Sequence, residues 1–415
     1  MKRLIVYLNS QEVGELNQDD GGLLEFRYKQ EWIQRTNAFP LSRSLPLQAE
    51  TFRGKKARSF FAGILPEEGP RQRIAAILGI SERNDFAMLE RIGGECAGAV
   101  SLFPEGIPPP APSETHTREL SEKELRVIVA ELPRRPLLAG EDGIRLSLAG
   151  AQDKLPVVIR DSQILLPLGN TPSTHIMKPE PDRFPGLAAN EVFCMRLAKF
   201  VGLNVSSVEN RKIGEKACII VQRYDRITTD DGAAMRLHQE DFCQALGFPP
   251  ERKYQQEGGP LLLDCIKLLR EWSTTPVLDI REFIDGQIFN VLIGNADAHG
   301  KNYSMLYQGN QRRLAPFYDL VCTLAWPELS KTLSMKIGKA ESLNEIMPDD
   351  WRKMAQETNL GWPMVRERMA LLAGKTLDAL DATRVQSEAT KGSMVERTAG
   401  IIKERASTMV ERLKV

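Results

Sequence analysis

Asn295-Ala296-Asp297-Ala298-His299-Gly300-Lys301-Asn302, followed after a hairpin-like segment by Pro316-Phe317-Tyr318-Asp319-Leu320, is the stretch on which the reading of this chain turns. An aspartate, an asparagine five residues on and a second aspartate beyond a hairpin are the parts that phosphoryl transfer from ATP requires. One carboxylate orients and deprotonates a hydroxyl, while the asparagine and the second carboxylate hold Mg²⁺ against the phosphates. Hard oxygen ligands suit that ion. Asp297 is therefore the candidate base and Asn302 and Asp319 are the candidate metal ligands, with His299 and Lys301 placed to contact phosphate oxygens. Two other readings fit the same residues. Asn295 or Asp297 capping local turns, as polar residues do in many loops after a helix, is one. A metal hydrolase is the other, since Asp-x-His supplies two ligands to a catalytic metal. The chain has only 4 His and no second His-Asp cluster, which weighs against the hydrolase.

The flanking pattern supports a loop at this place. Phe283 to Ile293 carries apolar residues at 284, 288, 291 and 292, the spacing of a helix, and Gly294 is suited to end it. Tyr303 to Tyr307 and Arg313 to Tyr318 flank Gln308-Gly309-Asn310-Gln311 and read as a hairpin. Upstream, Leu146-Ser147-Leu148-Ala149-Gly150-Ala151-Gln152-Asp153-Lys154 sets small residues between two expected strands, so its backbone amides can approach triphosphate oxygens. An ordinary hairpin turn is the competing reading. Lys178 ends the strand candidate Thr174 to Lys178 and can pair with the α- and β-phosphates, as a strand lysine does in kinases; otherwise it is a solvated charge. Glu191, on the next helix, either orients that lysine or faces solvent. Ile220 to Arg226 offers backbone groups to an adenine, or is a plain strand leading to a charged turn.

Further strands are expected at Leu4 to Leu8, Glu12 to Leu16, Leu23 to Tyr28, Ala97 to Phe103, Ile144 to Leu148, Leu155 to Ile159, Ile164 to Leu168 and Cys218 to Val221. Helices are expected at Arg58 to Leu65, Arg71 to Leu78, Leu187 to Val201 and through Ile402 to Leu413, with mostly helical pattern from about 236 onward. Ser121 and Glu124 form a capping-box pattern ahead of another helix. Between them the proline-rich run from Pro104 to Pro112 predicts a linker near 104 to 119, because proline lacks the amide donor and fixes φ.

At 415 residues the chain exceeds the size at which one core keeps growing, so two or three packed units are expected. Lys plus Arg (55) balances Asp plus Glu (55), and no run of five like charges occurs, so charge alone does not indicate nucleic acid. The 6 Cys are scattered without Cys-x-x-Cys spacing, which disfavours a zinc site or a disulfide framework. With no signal-peptide pattern and no apolar stretch near the roughly 20 residues that span a bilayer, a cytoplasmic protein with reduced thiols and no membrane association is expected.

Taken in order, Leu146 to Lys154, His175 to Lys178, Gly294 to Asn302 and Pro316 to Leu320 resemble the motifs of the HipA family, the serine/threonine kinase toxins of bacterial toxin-antitoxin modules. The resemblance extends over nearly the whole chain. The opening strands and Glu95 to Leu102 resemble the family's small N-terminal subdomain. It implies an α+β, two-lobed, protein-kinase-like fold. Residues 1–110 would form the small subdomain, 120–225 the mixed N-lobe with the phosphate-covering loop, and 226–415 the mainly helical C-lobe. It also implies roles: Asp297 as catalytic base, Asn302 and Asp319 on Mg²⁺, Lys178 as the ATP lysine, and Ala149, Gly150, Ala151, Gln152, Asp153 and Lys154 as the loop over the phosphates. His299, Gly300, Lys301, Asn302, Tyr318 and Asp319 would complete the nucleotide contacts, with Gln222, Arg223 and Tyr224 at the adenine. Gln222 departs from the glutamate expected there. Ser147 would be an autophosphorylation site whose phosphate moves the loop away from ATP, in keeping with the repulsion between two phosphates. The implied partners are a HipB-like helix-turn-helix antitoxin, DNA indirectly through it, and a protein substrate, a class that in the family includes aminoacyl-tRNA synthetases. A small-molecule phosphotransferase and a non-catalytic co-repressor bound to a DNA-binding antitoxin are the alternatives.

Overall fold

The computed structural model describes residues 2–110, 116–228, 234–386 and 393–414. The chain forms two compact units, each drawn from separate stretches of sequence. Met1–Pro179, Lys212–Pro250 and Leu306–Asn310 make the first; Glu180–Arg211, Glu251–Met305 and Gln311–Val415 make the second.

In the first unit, alternation along the opening strands turns Leu4, Val6, Leu8 and Leu16 to one buried face, and Val13, skipped where the register shifts between Val6 and Tyr7, is buried as well. They belong to an antiparallel sheet in the order Phe52–Arg53, Leu24–Tyr28, Gln11–Gln18, Lys2–Leu8, Val100–Pro104. Helices Lys55–Phe61, Glu68–Leu78 and Asp85–Ile92 follow, and Phe26, Phe60, Phe61 and Phe86 fill the core. A second antiparallel sheet runs Lys216–Gln222, His175–Pro179, Leu155–Arg160, Gln163–Leu168, His116–Glu119. Beside it the Glu122–Glu131 helix starts with the expected capping box, Ser121 Oγ accepting from Glu124 N and Glu124 Oε2 from Ser121 N.

The differences from expectation are local. Residues 144–148 are not a strand: only Leu146 makes a bridge, to Glu95, because the segment spends its backbone groups on loop partners. The expected linker ends early, since His116–Glu119 is a strand; residues 111–115 of it lie outside the described residues. The Asp85–Ile92 helix, capped by Asn84 Oδ1 accepting from Ala87 N, was not anticipated, nor were the strands His238–Asp241, Thr332–Ile337 and Ala340–Ser342. Residues 226–250 pack in the first unit.

Two titrating groups in this unit oppose each other. Burial raises the Glu240 carboxyl to about 7 although Ser42 Oγ, Tyr307 OH and Arg43 N all donate to it. Burial lowers His238, whose Nε2 donates to Leu41 O, to about 4. For Glu240 the folded pKa lies above the unfolded value of 4.5, so its contribution is complete below that pH and is lost as pH rises to about 7. For His238 the folded pKa lies below 6.5, so its contribution is complete above that pH and is lost as pH falls to about 4. Each is worth on the order of 3 kcal/mol, and in wild type the slopes nearly cancel. Glu240→Gln should make the protein lose stability on acidification from pH 6.5 to 4.5, and His238→Gln should make it gain. Denaturant unfolding across that window checks this, and equal slopes in the two variants would refute it.

The second unit is mainly helical. Leu187–Val201, Pro276–Ile293, Trp362–Gln386 and Ser393–Lys414 pack together, with Leu262–Trp272 against Pro276–Ile293 and Pro348–Glu357 against Trp362–Gln386. Leu187–Val201 has the bounds expected from its periodicity, closed by Gly202. Among the described residues no helix is long and apolar enough to cross a membrane.

Candidate active site

In the second unit, Gly294 closes the Pro276–Ile293 helix at φ 72, donating to Asn290 O and Val291 O. Only glycine adopts that conformation at little cost, and a Cβ there would also lie 2.8 Å from Leu324 Cδ1. The loop that follows is tied down residue by residue. Asn295 N and Nδ2 donate to Asn290 O and Oδ1, both at 2.8 Å. Asn290 Nδ2 in turn donates to Gly286 O and Tyr303 OH. Ala296 N donates to Thr323 Oγ1, and Ala296 O accepts from Ser334 N and Oγ. Asn302 Oδ1 accepts from His299 N at 3.1 Å, closing the short turn Gly300–Asn302. Tyr318 OH donates to Lys301 O at 2.7 Å and pairs with Ser304 Oγ.

One residue in this frame is left out. Asp297 is exposed between buried neighbours, and its carboxylate has no hydrogen bond or ion pair among the described residues; only its backbone is held, by Asn295 Oδ1 accepting from Asp297 N. The turn-capping role is thus filled by Asn295, not by Asp297. Asp319 sits at φ 54, a left-handed conformation uncommon outside glycine and frequent where strain serves a site. Its approach is fixed by Phe317, whose N donates to Asn204 O and whose O accepts from Ser206 N. Phe317 packs so closely on Gly286 that a Cβ there would lie 2.5 Å from the ring. His299 is buried with its ring edge-on to Tyr254, and Lys301 is also buried.

In the first unit, residues 146–154 are folded down on their surroundings. Ser147 is wholly buried, its N donating to Glu95 O at 2.8 Å and its Oγ to Ile64 O at 3.1 Å. Glu67 N donates to Gly150 O, Lys154 Nζ to Ala149 O and Arg73 Nη2 to Asp153 Oδ1. Gly150, at φ 107, permits the tight path, and Ala151 and Gln152 turn toward the next strand. This is not a hairpin turn, since no strand precedes it. Lys178 is buried, which sets aside the reading of a solvated charge. Glu191, in the second unit, is likewise buried rather than facing solvent.

The adenine segment divides. Gln222 ends its strand opposite His175 with an exposed side chain, and Tyr224 OH donates to Gln239 Oε1. The Arg223 side chain is committed elsewhere, to Asp225, Glu95, Ser173 Oγ and Cys96 O, so that only its backbone remains for a ligand; its N already donates to Thr174 O. Around it lies a buried cluster that sequence reading missed. Glu95 accepts from Arg223, Arg226 and Arg236, and Asp225 from Arg223, Arg226 and Gly98 N. Burial works to raise the Glu95 carboxyl, but Arg226, Arg236 and Arg223 together hold it well below the usual carboxylate range. Glu95 also carries the Ser147 loop on its backbone, its N donating to Arg145 O. The nearest signal in the sequence is Arg223-Tyr224-Asp225-Arg226, dense in charge immediately after an apolar strand.

A model of the HipA N-terminal domain matches residues 4–103 and one of the HipA-like C-terminal domain matches residues 146–383. The Sinorhizobium fredii chain Y4mE, which carries a kinase name, is 47% identical over 381 residues, 91% of this chain and 90% of that one. The serine/threonine-protein kinase toxin HipA of Shewanella oneidensis is 31% identical over 355 residues, 83% of this chain and 80% of that one. The solved complex of the Shewanella oneidensis MR-1 toxin-antitoxin system HipA, HipB and its operator DNA contains a chain similar at TM-score 0.84 and 27% identity, covering 99% of this chain and 96% of that one. The α+β kinase-like fold expected from the sequence is the fold found.

Proposed function

This chain belongs to the HipA family of kinase toxins, and on that premise we propose that it is an ATP-dependent protein serine/threonine kinase, the toxin of a toxin-antitoxin module. The observation that carries the proposal is Asp297, a solvent-facing carboxylate with no partner among the described residues, on a loop whose neighbours are fixed by buried hydrogen bonds. A base needs that combination: free lone pairs and a held position.

The donor set fits Mg²⁺ and ATP. Asn302 keeps one lone pair of Oδ1 beyond the bond from His299 N, and Asp319 adds a carboxylate, both hard oxygens. No group of three or more His, Cys, Asp or Glu able to hold a metal alone exists among the described residues, so phosphate oxygens would complete the shell. Bound Mg²⁺ and ATP would supply the transferable phosphoryl group and neutralise its charge. Asp297 would orient the acceptor hydroxyl and take its proton. Lys178, Lys301 and His299 would face the phosphates, with Ala149 to Lys154 and Gly300 over them, and Gln222 and Tyr224 would meet the adenine through backbone groups. The limits 1–110, 120–225 and 226–415 are our proposed division of roles along the chain, and they differ from the packing units, in which residues 180–211 belong to the second and 226–250 to the first.

Ser147 is proposed as the autophosphorylation site. Its hydroxyl is buried against Ile64 O, so phosphorylation requires the 146–154 loop to leave Glu95, Ile64 and Glu67. A phosphate of about −1.5 to −2 charge cannot return to that buried place, and the kinase is silenced with the loop displaced. The proposed partners are a HipB-like helix-turn-helix antitoxin, operator DNA through it, and a cytosolic protein substrate of the aminoacyl-tRNA synthetase kind. Incubation with Mg²⁺ and ATP followed by peptide mass spectrometry tests this: phosphate should appear on Ser147 of wild type and on no residue of Asp319→Asn. Phosphate on small hydroxyl compounds but on no protein would favour a small-molecule phosphotransferase. Failure to bind ATP would favour a non-catalytic co-repressor.

A further inference from the structure

A cavity of about 260 Å³ lies in the second unit, where the C-terminal end of the Pro276–Ile293 helix meets the Pro348–Glu357 and Ser393–Lys414 helices. No residue assigned above to nucleotide or acceptor lines it. Part of its wall is apolar, formed by Leu343, Ile346, Met369, Met409 and Leu413 with Trp351, and part is polar, formed by Asn344, Glu404, Arg405, Thr408 and Arg412. Two observations point to an anionic occupant, and a third sets its size.

The first is charge. Arg405 and Arg412 line the cavity, and neither forms an ion pair among the described residues. Arg405 Nε donates to Val291 O at 2.6 Å and Nη2 to Leu343 O at 3.3 Å, and Arg412 Nη1 donates to Ile346 O at 2.7 Å. Each guanidinium has five N–H groups, so most of their donors are left over. Burial, with Arg412 adding to it, lowers the proton affinity of Arg405, a cost that a neighbouring anion would offset. Glu404 also lines the cavity, so the local charge of two arginines and one glutamate is balanced by a single negative charge.

The second is Trp351, wholly buried at 0% exposure, whose Nε1 has no hydrogen-bond partner among the described residues. Buried indole N–H groups are normally paired. The third is size. A dry cavity of about 150 Å³ takes benzene, with its six heavy atoms, so this one suits a ligand of roughly ten.

We propose that this cavity binds a small amphipathic monocarboxylate of the medium-chain acyl type, its carboxylate accepting from Arg405, Arg412 and Trp351 Nε1 and its chain against Leu343, Ile346, Met369, Met409 and Leu413. The site is independent of the kinase proposal. It lies at the end of the helix that leads into the Asn295–Asn302 loop, with Arg405 bound to Val291 O three residues before Gly294.

Calorimetric titration of the full-length protein with octanoate, using 1-octanol as the uncharged control, tests it. Octanoate should bind saturably at one site, and octanol at least about tenfold more weakly, the factor expected from losing one charge-assisted pairing. Arg405→Gln also removes two bonds to the backbone, so Arg412→Gln, at an exposed position, and Trp351→Phe are the variants to read. Arg412→Gln should weaken octanoate about tenfold and Trp351→Phe by a smaller factor. Absence of octanoate binding, equal binding of octanol, unchanged affinity in both variants, or tighter binding of a peptide through its C-terminal carboxylate would each overturn the assignment.

Discussion

Asp297→Asn is expected to slow phosphoryl transfer from ATP by roughly 10²- to 10⁴-fold, the range lost when a positioned general base is removed. The substitution keeps the shape of the side chain and removes its charge and basicity. Nothing in the loop depends on that carboxylate, because Asn295, Asn290, Thr323 and Ser334 hold the backbone on either side. Stability should therefore stay within about 0.5 kcal/mol of wild type, as for exposed substitutions away from structural bonds. Single-turnover rates and denaturant unfolding on the same preparation separate the two effects. An Asp297→Asn variant that stays nearly fully active would remove Asp297 from the role of base.

The largest stability effect should come from Glu95→Ala. Glu95 is wholly buried and accepts from Arg223, Arg226 and Arg236. Removing one partner of a buried ion pair costs about 3–5 kcal/mol because the remaining charges are left without compensation. Here three guanidinium groups face two carboxylates, Glu95 and Asp225, so loss of Glu95 leaves three against one. Loss of Arg236 leaves two against two. Arg236→Met should accordingly cost clearly less than Glu95→Ala, and an equal or greater loss would show that charge balance does not govern the cluster. Because the Glu95 backbone also carries Ser147 N, proteolysis within 146–154 should accelerate in Glu95→Ala.

What the sequence made legible was carried by local chemistry. The capping box at Ser121, the limits of Leu187–Val201 and the stop at Gly294 each depend on residues within one or two helical turns, and each is found as expected. The Asp297 loop was legible for the same reason. Residues 144–148 misled because an apolar run signals burial, not hydrogen-bond partners, and here those partners are Glu95 and Ile64, far off in sequence. The Glu95 cluster was illegible on the same ground: its arginines lie 128 to 141 residues from it, and nothing local announces the pairing. Likewise the supports of the candidate loop, Thr323 and Ser334, reach it only through the fold.

The central claim is that Asp297, Asn302 and Asp319 transfer phosphate from ATP to a protein hydroxyl. Its most direct test is transfer of label from γ-labelled ATP, using protein whose Ser147 is first shown to be unmodified. The account predicts Mg²⁺-dependent label on protein with wild type, and almost none with Asp297→Asn or Asp319→Asn. Equal labelling by wild type and Asp297→Asn would contradict it.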